Sequence, residues 1–302
     1  MINLRTLETF YWVAQLGGFH RAAEKLNTTQ PAISARVAQL EESFSARLFE
    51  RDKHGCHLTA KGRALMDYAE RMLALKSEMI VAMTAPAEMR GTVQLGVSET
   101  IVHTWLSALL KQLHQQYPAV TIEILVDNST ALGAGLADGS VDVALLLGPI
   151  SAANASNLPL CDYGLSWAVA ADCPVGLGSA PVTLRDLAAW PIITYARNTK
   201  PFQQLSLMFE RAGINGVRMF ANSSLASIIR MTLDGIGICC IPRHVIADQL
   251  GRGDLRIIET AGVPMPSLYY TASYIERPDT PLNAIIAATA QQIAAEQEGM
   301  QS

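Results

Sequence analysis

The chain has 302 residues, half of them hydrophobic and 17% charged, so it can bury a large interior and suits two or three domains better than one. No apolar run reaches the ~18 residues a membrane span requires, and the first residues lack the basic start and apolar block of a secretory signal, so a soluble, cytoplasmic protein is expected. The net charge of −4 is unevenly spread: residues 1–63 hold nine Lys/Arg against six Asp/Glu, a balance of +3 that leaves −7 for the rest, as in a protein whose head alone meets phosphates.

Leu4, Leu7, Phe10, Val13, Ala14 and Leu16 recur at helical spacing and predict a first helix, broken at Gly17-Gly18. Phe19, Ala22, Ala23 and Leu26 mark a short second helix that Asn27 ends. Thr28 and Thr29 offer hydroxyls to cap a third helix, with Pro31 in its first turn, where a missing N–H costs nothing. Ile33, Val37 and Leu40 are its buried stripe. Two short helices joined by a tight turn are the helix-turn-helix geometry. Residues 47–59 then read as two short strands around a Gly-containing turn, a wing with Arg51, Lys53 and His54 at its tip.

The run Phe19-His20-Arg21-Ala22-Ala23-Glu24-Lys25-Leu26, then Thr29-Gln30-Pro31-Ala32-Ile33-Ser34, Leu40-Glu41, Leu48-Phe49-Glu50-Arg51 and Leu58-Thr59-Ala60-Lys61-Gly62 resembles the signature of LysR-type transcriptional regulators in order and spacing. The resemblance implies double-stranded promoter DNA as partner, with Gln30, Pro31 and Ser34 facing the major groove and Thr28, Thr29 and Arg51 on phosphates. The candidate DNA-binding set also takes in Phe19, Arg21, Ala32, Ala35, Arg36 and Lys53. Two positions depart from the family pattern: Gly18 and His20 stand where Ser or Thr is usual, and Ala35 replaces the basic residue that often follows Ser34. Phosphate contacts should dominate affinity and its salt dependence, while base edges set sequence preference.

After Gly62 neither proline nor glycine interrupts the chain until Pro86, so a linker helix is expected over 60–88, capped by Thr59. Leu65, Met72 and Met79 repeat every seven residues, as do Tyr68, Leu75 and Ala82. That seam packs either on its own domain or, since a single helix this long would leave it in water, on a second copy, which is the expected arrangement. The resemblance agrees, implying a homodimer or homotetramer that activates a divergently transcribed neighbour and represses its own gene, with RNA polymerase as a further partner.

From residue 91 the chain turns apolar and acidic. Strands are expected at 93–97, 120–126 and 141–147 around helices at 101–117 and 132–137, the β-α-β-α-β series of a parallel sheet. A second series follows, with strands at 165–171, 192–195, 217–221 and 236–241, helices at 184–187, 202–211 and 225–233, then a strand at 268–274 and a helix at 281–297. The whole predicts a multidomain α/β protein: a winged helix-turn-helix over 1–59, the linker helix over 60–88, and an effector-binding domain over 91–302. That last domain resembles the two-lobed periplasmic-binding-protein-like sensors, with lobe 1 at 91–162 and 268–302 and lobe 2 at 163–267.

Strand-to-helix turns at the carboxyl edge of a parallel sheet expose helix N–H groups that attract anions. On that ground Ser98, Thr100, Gly148, Thr194, Arg197, Asn222 and Ser223 are the candidate ligand-binding residues, and the resemblance implies a small carboxylate as their effector. Glu99 lies awkwardly among them: either it points away or the effector is not simply anionic. The five cysteines show no metal-site spacing and read as reduced core thiols, and no nucleophile elbow, phosphate loop or carboxylate pair is visible. No catalytic residue, metal or cofactor is therefore expected. A solute-binding protein, or an α/β enzyme with a helical appendage, is the alternative.

Overall fold

The computed structural model describes residues 3–52, 55–176, 182–260, 262, 264–277 and 280–301. The head is built from α1 (Leu4–Gln15), α2 (Phe19–Lys25), α3 (Gln30–Phe44) and a hairpin of β1 (Phe49–Asp52) and β2 (Gly55–Leu58). Asn3 caps α1 by accepting from the Thr6 N–H at 2.9 Å. One side of α1 buries Leu7, Phe10, Trp12 and Val13 in a core shared with Ile33, Val37 and Leu40 of α3. The turn between α2 and α3 places Asn27 at φ 47° and closes with the Thr28 N–H donating to the Ala23 carbonyl at 2.9 Å. The Glu41 carboxylate accepts from the Leu48 and Phe49 N–H groups at 2.7 and 3.3 Å, tying the end of α3 to the wing.

The fourth helix, α4 (Ala60–Met83), starts flush against the head. A Cβ on Gly62 would stand 2.2 Å from the Leu48 carbonyl oxygen, so only glycine permits the approach. Ala69 and Leu73 are fully buried in the head core, and Leu65, expected in the free seam, packs partly against it as well. The helix stops at Met83, short of the expected 88. Thr84 and Ala85 are extended, as residues leading into Pro86 tend to be, and Pro86–Glu88 form a separate 3₁₀ turn. Along the opposite face Tyr68, Met72, Leu75, Met79 and Met83 stand in solvent, Leu75 67% and Met83 81% exposed.

The body contains β3 (Gly91–Val97), α5 (Glu99–Val102), α6 (Leu106–Gln116), β4 (Val120–Val126), α7 (Ser129–Asp138), β5 (Val143–Leu147) and β6 (Ala155–Ala170). It continues with α8 (Leu184–Ala188), β7 (Ile192–Tyr195), α9 (Lys200–Arg211), β8 (Met219–Asn222), α10 (Leu225–Leu233), β9 (Ile238–Pro242), α11 (Ala247–Arg252), β10 (Leu255–Ile258), β11 (Ser267–Ile275) and α12 (Pro281–Gln301). Strand order is β4-β3-β5-β11-β6-β9-β7-β8, with β10 also on β6. β3 is parallel to β4 and β5, and β7 is parallel to β8 and β9. β6 joins the two parallel sets: residues 155–164 pair with β11, and residues 165–170 pair with β9 and β10. Two lobes thus hang on one long strand and its antiparallel neighbour.

Three expectations about the body change. The single helix over 101–117 divides into α5 and α6, and at the break the Thr104 hydroxyl bonds back to the Thr100 carbonyl at 3.0 Å. The strand begun at 165 extends back to Ala155, and Arg243 to Ile258 add a 3₁₀ turn, α11 and β10 where no element was expected.

Head and body touch within this chain. Lys25 of α2 reaches Asp142, at the entrance to β5, with Nζ 3.0 Å from Oδ1 and the Asp142 side chain 9% exposed. The other carboxylate oxygen accepts from the Gln94 N–H at 3.0 Å. Lys25 and Arg277 both lie over the Trp12 ring, 5.3 and 4.9 Å from its centre.

Candidate DNA-binding face and effector cleft

The N-cap and first two turns of α3 carry Thr29, Gln30, Pro31 and Ala35 on the exposed side, with Ala32 and Ser34 half-buried at its edge. Gln30 Nε2 donates to Ser34 Oγ at 3.1 Å, so the two polar groups form one small unit at the helix start. Because Ile33, Val37 and Leu40 hold the opposite side in the core, this face is fixed in direction. Arg21 is exposed on α2 and Arg36 half-buried on α3.

Other candidates sit differently. Thr29 is the N-cap residue of α3, but neither its hydroxyl nor any other side chain closes that end. The Phe19 ring, half-buried, packs edge-on against Phe49 at 5.8 Å at the border of the head core. Arg51 is paired with Cys56 in the wing ladder, and Lys53 and His54 lie outside the described residues.

In the body, a cavity of about 660 Å³ opens between the lobes. The carboxyl ends of β3, β4, β5, β7 and β8 all reach it, as the parallel-sheet rule requires. Of the expected residues, Ser98, Thr100, Asn222 and Ser223 line it. Two contacts cross the cleft: the Thr100 hydroxyl meets the Tyr195 hydroxyl at 3.3 Å, and Ser224 Oγ donates to Glu99 Oε1 at 3.3 Å. Ser98 is 7% exposed and its buried Oγ has no hydrogen-bond partner.

Glu99, the residue that fitted the sequence reading badly, belongs to this bridge. Burial alone would raise its pKa. Hydrogen bonds from His103, the Leu225 backbone N–H and Ser224 outweigh that and hold the carboxyl below its ordinary value. Its charge sits at the N-terminus of α10, where a helix favours an anion.

Three expected ligand residues lie off the cavity lining. Side chains alternate along a strand, so Tyr195 lines the cavity while the Thr194 hydroxyl is buried and donates to the Cys240 carbonyl at 3.3 Å. Arg197 stacks over Phe202 at 5.3 Å. Gly148 is pressed against β11, where a Cβ would lie 1.9 Å from Thr271 Oγ1. In exchange the cavity takes Asp127, Asn128, Ser129 and Thr130 from the turn into α7, and Asn198, Thr199 and Lys200 from the turn into α9. The strand-to-helix rule applied to β4 and β7 finds both groups; Tyr270, on a late antiparallel strand, carries no such signal.

Among the described residues no group of three or more His, Cys, Asp or Glu is placed to hold a metal ion, and no helix is long and apolar enough to cross a membrane. Burial raises the Cys240 thiol pKa and pushes that of Cys239 up to about 11.

A winged helix-turn-helix joined to a two-lobed α/β body with an interlobe cleft defines a DNA-binding regulator with a small-molecule sensor. Comparison with known proteins places the chain among them. The family described as "Bacterial regulatory helix-turn-helix protein, lysR family" matches residues 4–63, and "LysR substrate binding domain" matches residues 86–296. The uncharacterized HTH-type transcriptional regulator YeiE of Escherichia coli (strain K12) is 30% identical over 272 residues, 89% of each chain. Among solved structures, ArgP from Mycobacterium tuberculosis superposes with a TM-score of 0.65 at 20% identity, covering 98% of both chains. Full-length CbnR in complex with its target DNA superposes with a TM-score of 0.53 at 21% identity, covering 97% of this chain and all of that one. The chain belongs to the LysR family and is a transcriptional regulator with a DNA-binding head and an effector-binding body.

Proposed function

We propose that residues 1–59 read promoter DNA, that the segment 60–88 pairs two chains, and that residues 91–302 bind a small effector between their lobes. Gln30 and Ser34 contact base edges in the major groove, and Thr28, Thr29, Arg21 and Arg36 hold phosphates. The observation that carries this reading is the exposed Gln30–Ser34 face at the start of α3, set on a helix whose other side is locked into the core. The solvent-exposed seam of Tyr68, Met72, Leu75, Met79 and Met83 supports pairing through α4, giving a homodimer that can double to a tetramer. Two heads then engage half-sites about one helical turn apart. The regulator acts in the cytoplasm, without catalysis of its own, and activates transcription through RNA polymerase.

The effector works by differential affinity: it favours one closure of the lobes, and a ligand that bound both closures equally would switch nothing. Fluorescence anisotropy of the full chain on a duplex from upstream of its own gene tests the reading. Tight binding that weakens steeply from 50 to 200 mM salt is expected. Absence of binding at low salt overturns it.

A further inference from the structure

The two walls of the cleft carry opposite charge. Lobe 1 presents the carboxylates of Glu99 and Asp127; lobe 2 presents Lys200, the first residue of the 12-residue helix α9. At that helix end the N-cap hydroxyl is turned away, since Thr199 Oγ1 donates to the Ala196 carbonyl at 2.6 Å, and no side chain closes the first turn. A helix N-terminus without its cap and with an ammonium beside it favours an anion. The matching end of α10 is already taken by Glu99, through Ser224 and the Leu225 N–H. Asp127 accepts from the Asn128 N–H and side-chain amide through Oδ1 at 2.7 and 2.9 Å. The unpartnered Oγ of Ser98, buried on the same cavity, is a polar group that a bound ligand would satisfy.

We infer that the effector is a zwitterion of amino-acid type, its ammonium turned to Glu99 and Asp127 and its carboxylate to Lys200 and the start of α9. A dicarboxylate would set one anionic end against the two acids of lobe 1, and a diamine would set one cationic end against Lys200. This inference rests on the cleft being the effector site, and it narrows the chemistry the cleft accepts.

The test is thermal shift and calorimetry on the full chain, with a panel of α-amino acids and ω-amino acids and with dicarboxylates and diamines of matched chain length. A zwitterion is expected to raise the melting temperature where its matched dicarboxylate and diamine do not. Asp127→Asn and Lys200→Gln, both at exposed positions, are each expected to weaken that binding at least tenfold, with the circular dichroism of the free protein unchanged. A dicarboxylate that binds as well as the zwitterion, and binds more weakly in Ser98→Ala, overturns the charge class and leaves the cleft reading standing. Binding that persists in Ser98→Ala, Thr100→Val, Asp127→Asn and Lys200→Gln alike overturns both. No shift from any zwitterion in the panel overturns the charge class.

Discussion

In the head, the polar side chains offered to a partner stand on the outside of α3, and the other side of that helix, through Ile33, Val37 and Leu40, is packed away. In the body, the offered side chains stand at the ends of five strands and face inward around a cavity shared by two lobes. The head's surface is therefore set by one helix and its immediate neighbours. The body's surface exists only when residues from 98 to 270 have been brought together. A convex reading face needs rigidity, which a small closed core supplies. A concave site needs two parts that can approach, and here they are joined by β6 and β11.

The sharpest way to break this contrast is to separate the two heads. Tyr68→Glu with Leu75→Glu places charges on the α4 seam and is expected to leave a monomer by sedimentation. Operator affinity should then fall by about 10²–10⁴-fold, because each head must bind alone. Next, Gln30→Ala should cost about 1–3 kcal/mol of discrimination at one base pair per half-site, read by competition between operator variants. Arg21→Ala is the control: it should weaken all sequences alike and lower the salt slope by about 1. A uniform loss for Gln30→Ala would place that residue on the backbone.

Smaller effects are expected in the cleft. Ser98→Ala or Thr100→Val should reduce effector affinity by about 0.5–1.5 kcal/mol per lost hydrogen bond, seen by calorimetry, with effector-free DNA binding unchanged. The smallest is a pH effect. The folded-state pKa of Glu99 is lowered, so the stability it lends is fully present above its unfolded value of about 4.3. That contribution is lost as pH falls through the lower folded value. Glu99→Gln should flatten that part of the acid limb in a comparison of melting temperatures.

How far the sequence could be read follows the same division. Every segment of the head is local, and Gly17, Asn27 and Pro31 punctuate it where the helices begin and end. In the body, the strands at 120–126 and 192–195 and the helix at 225–233 emerge with the expected bounds, because turn residues frame compact apolar runs. The first half of β6 was hidden by Pro159 and Gly164, which ordinarily argue against a strand. The ladder tolerates them: its register against β11 shifts between Tyr269 and Thr271, beside Pro159. Thr194 was misplaced because a one-residue step along a strand exchanges the cavity side for the sheet interior. Lys200 and Asp127 were missed although the rule that found Ser98 covers the turns they occupy.

The glycine at position 62 has a mechanical consequence. With the Leu48 carbonyl filling the place of a side chain, and Ala69 and Leu73 sunk in the head core, reading helix and linker helix are packed as one unit, the arm of a lever. The lever's rest position is marked by the Lys25–Asp142 pair, and its nearest fulcrum is the extended stretch from Thr84 into Pro86. A respacing of two heads on DNA that turned each lever about that stretch would part Lys25 from a carboxylate that is almost out of water.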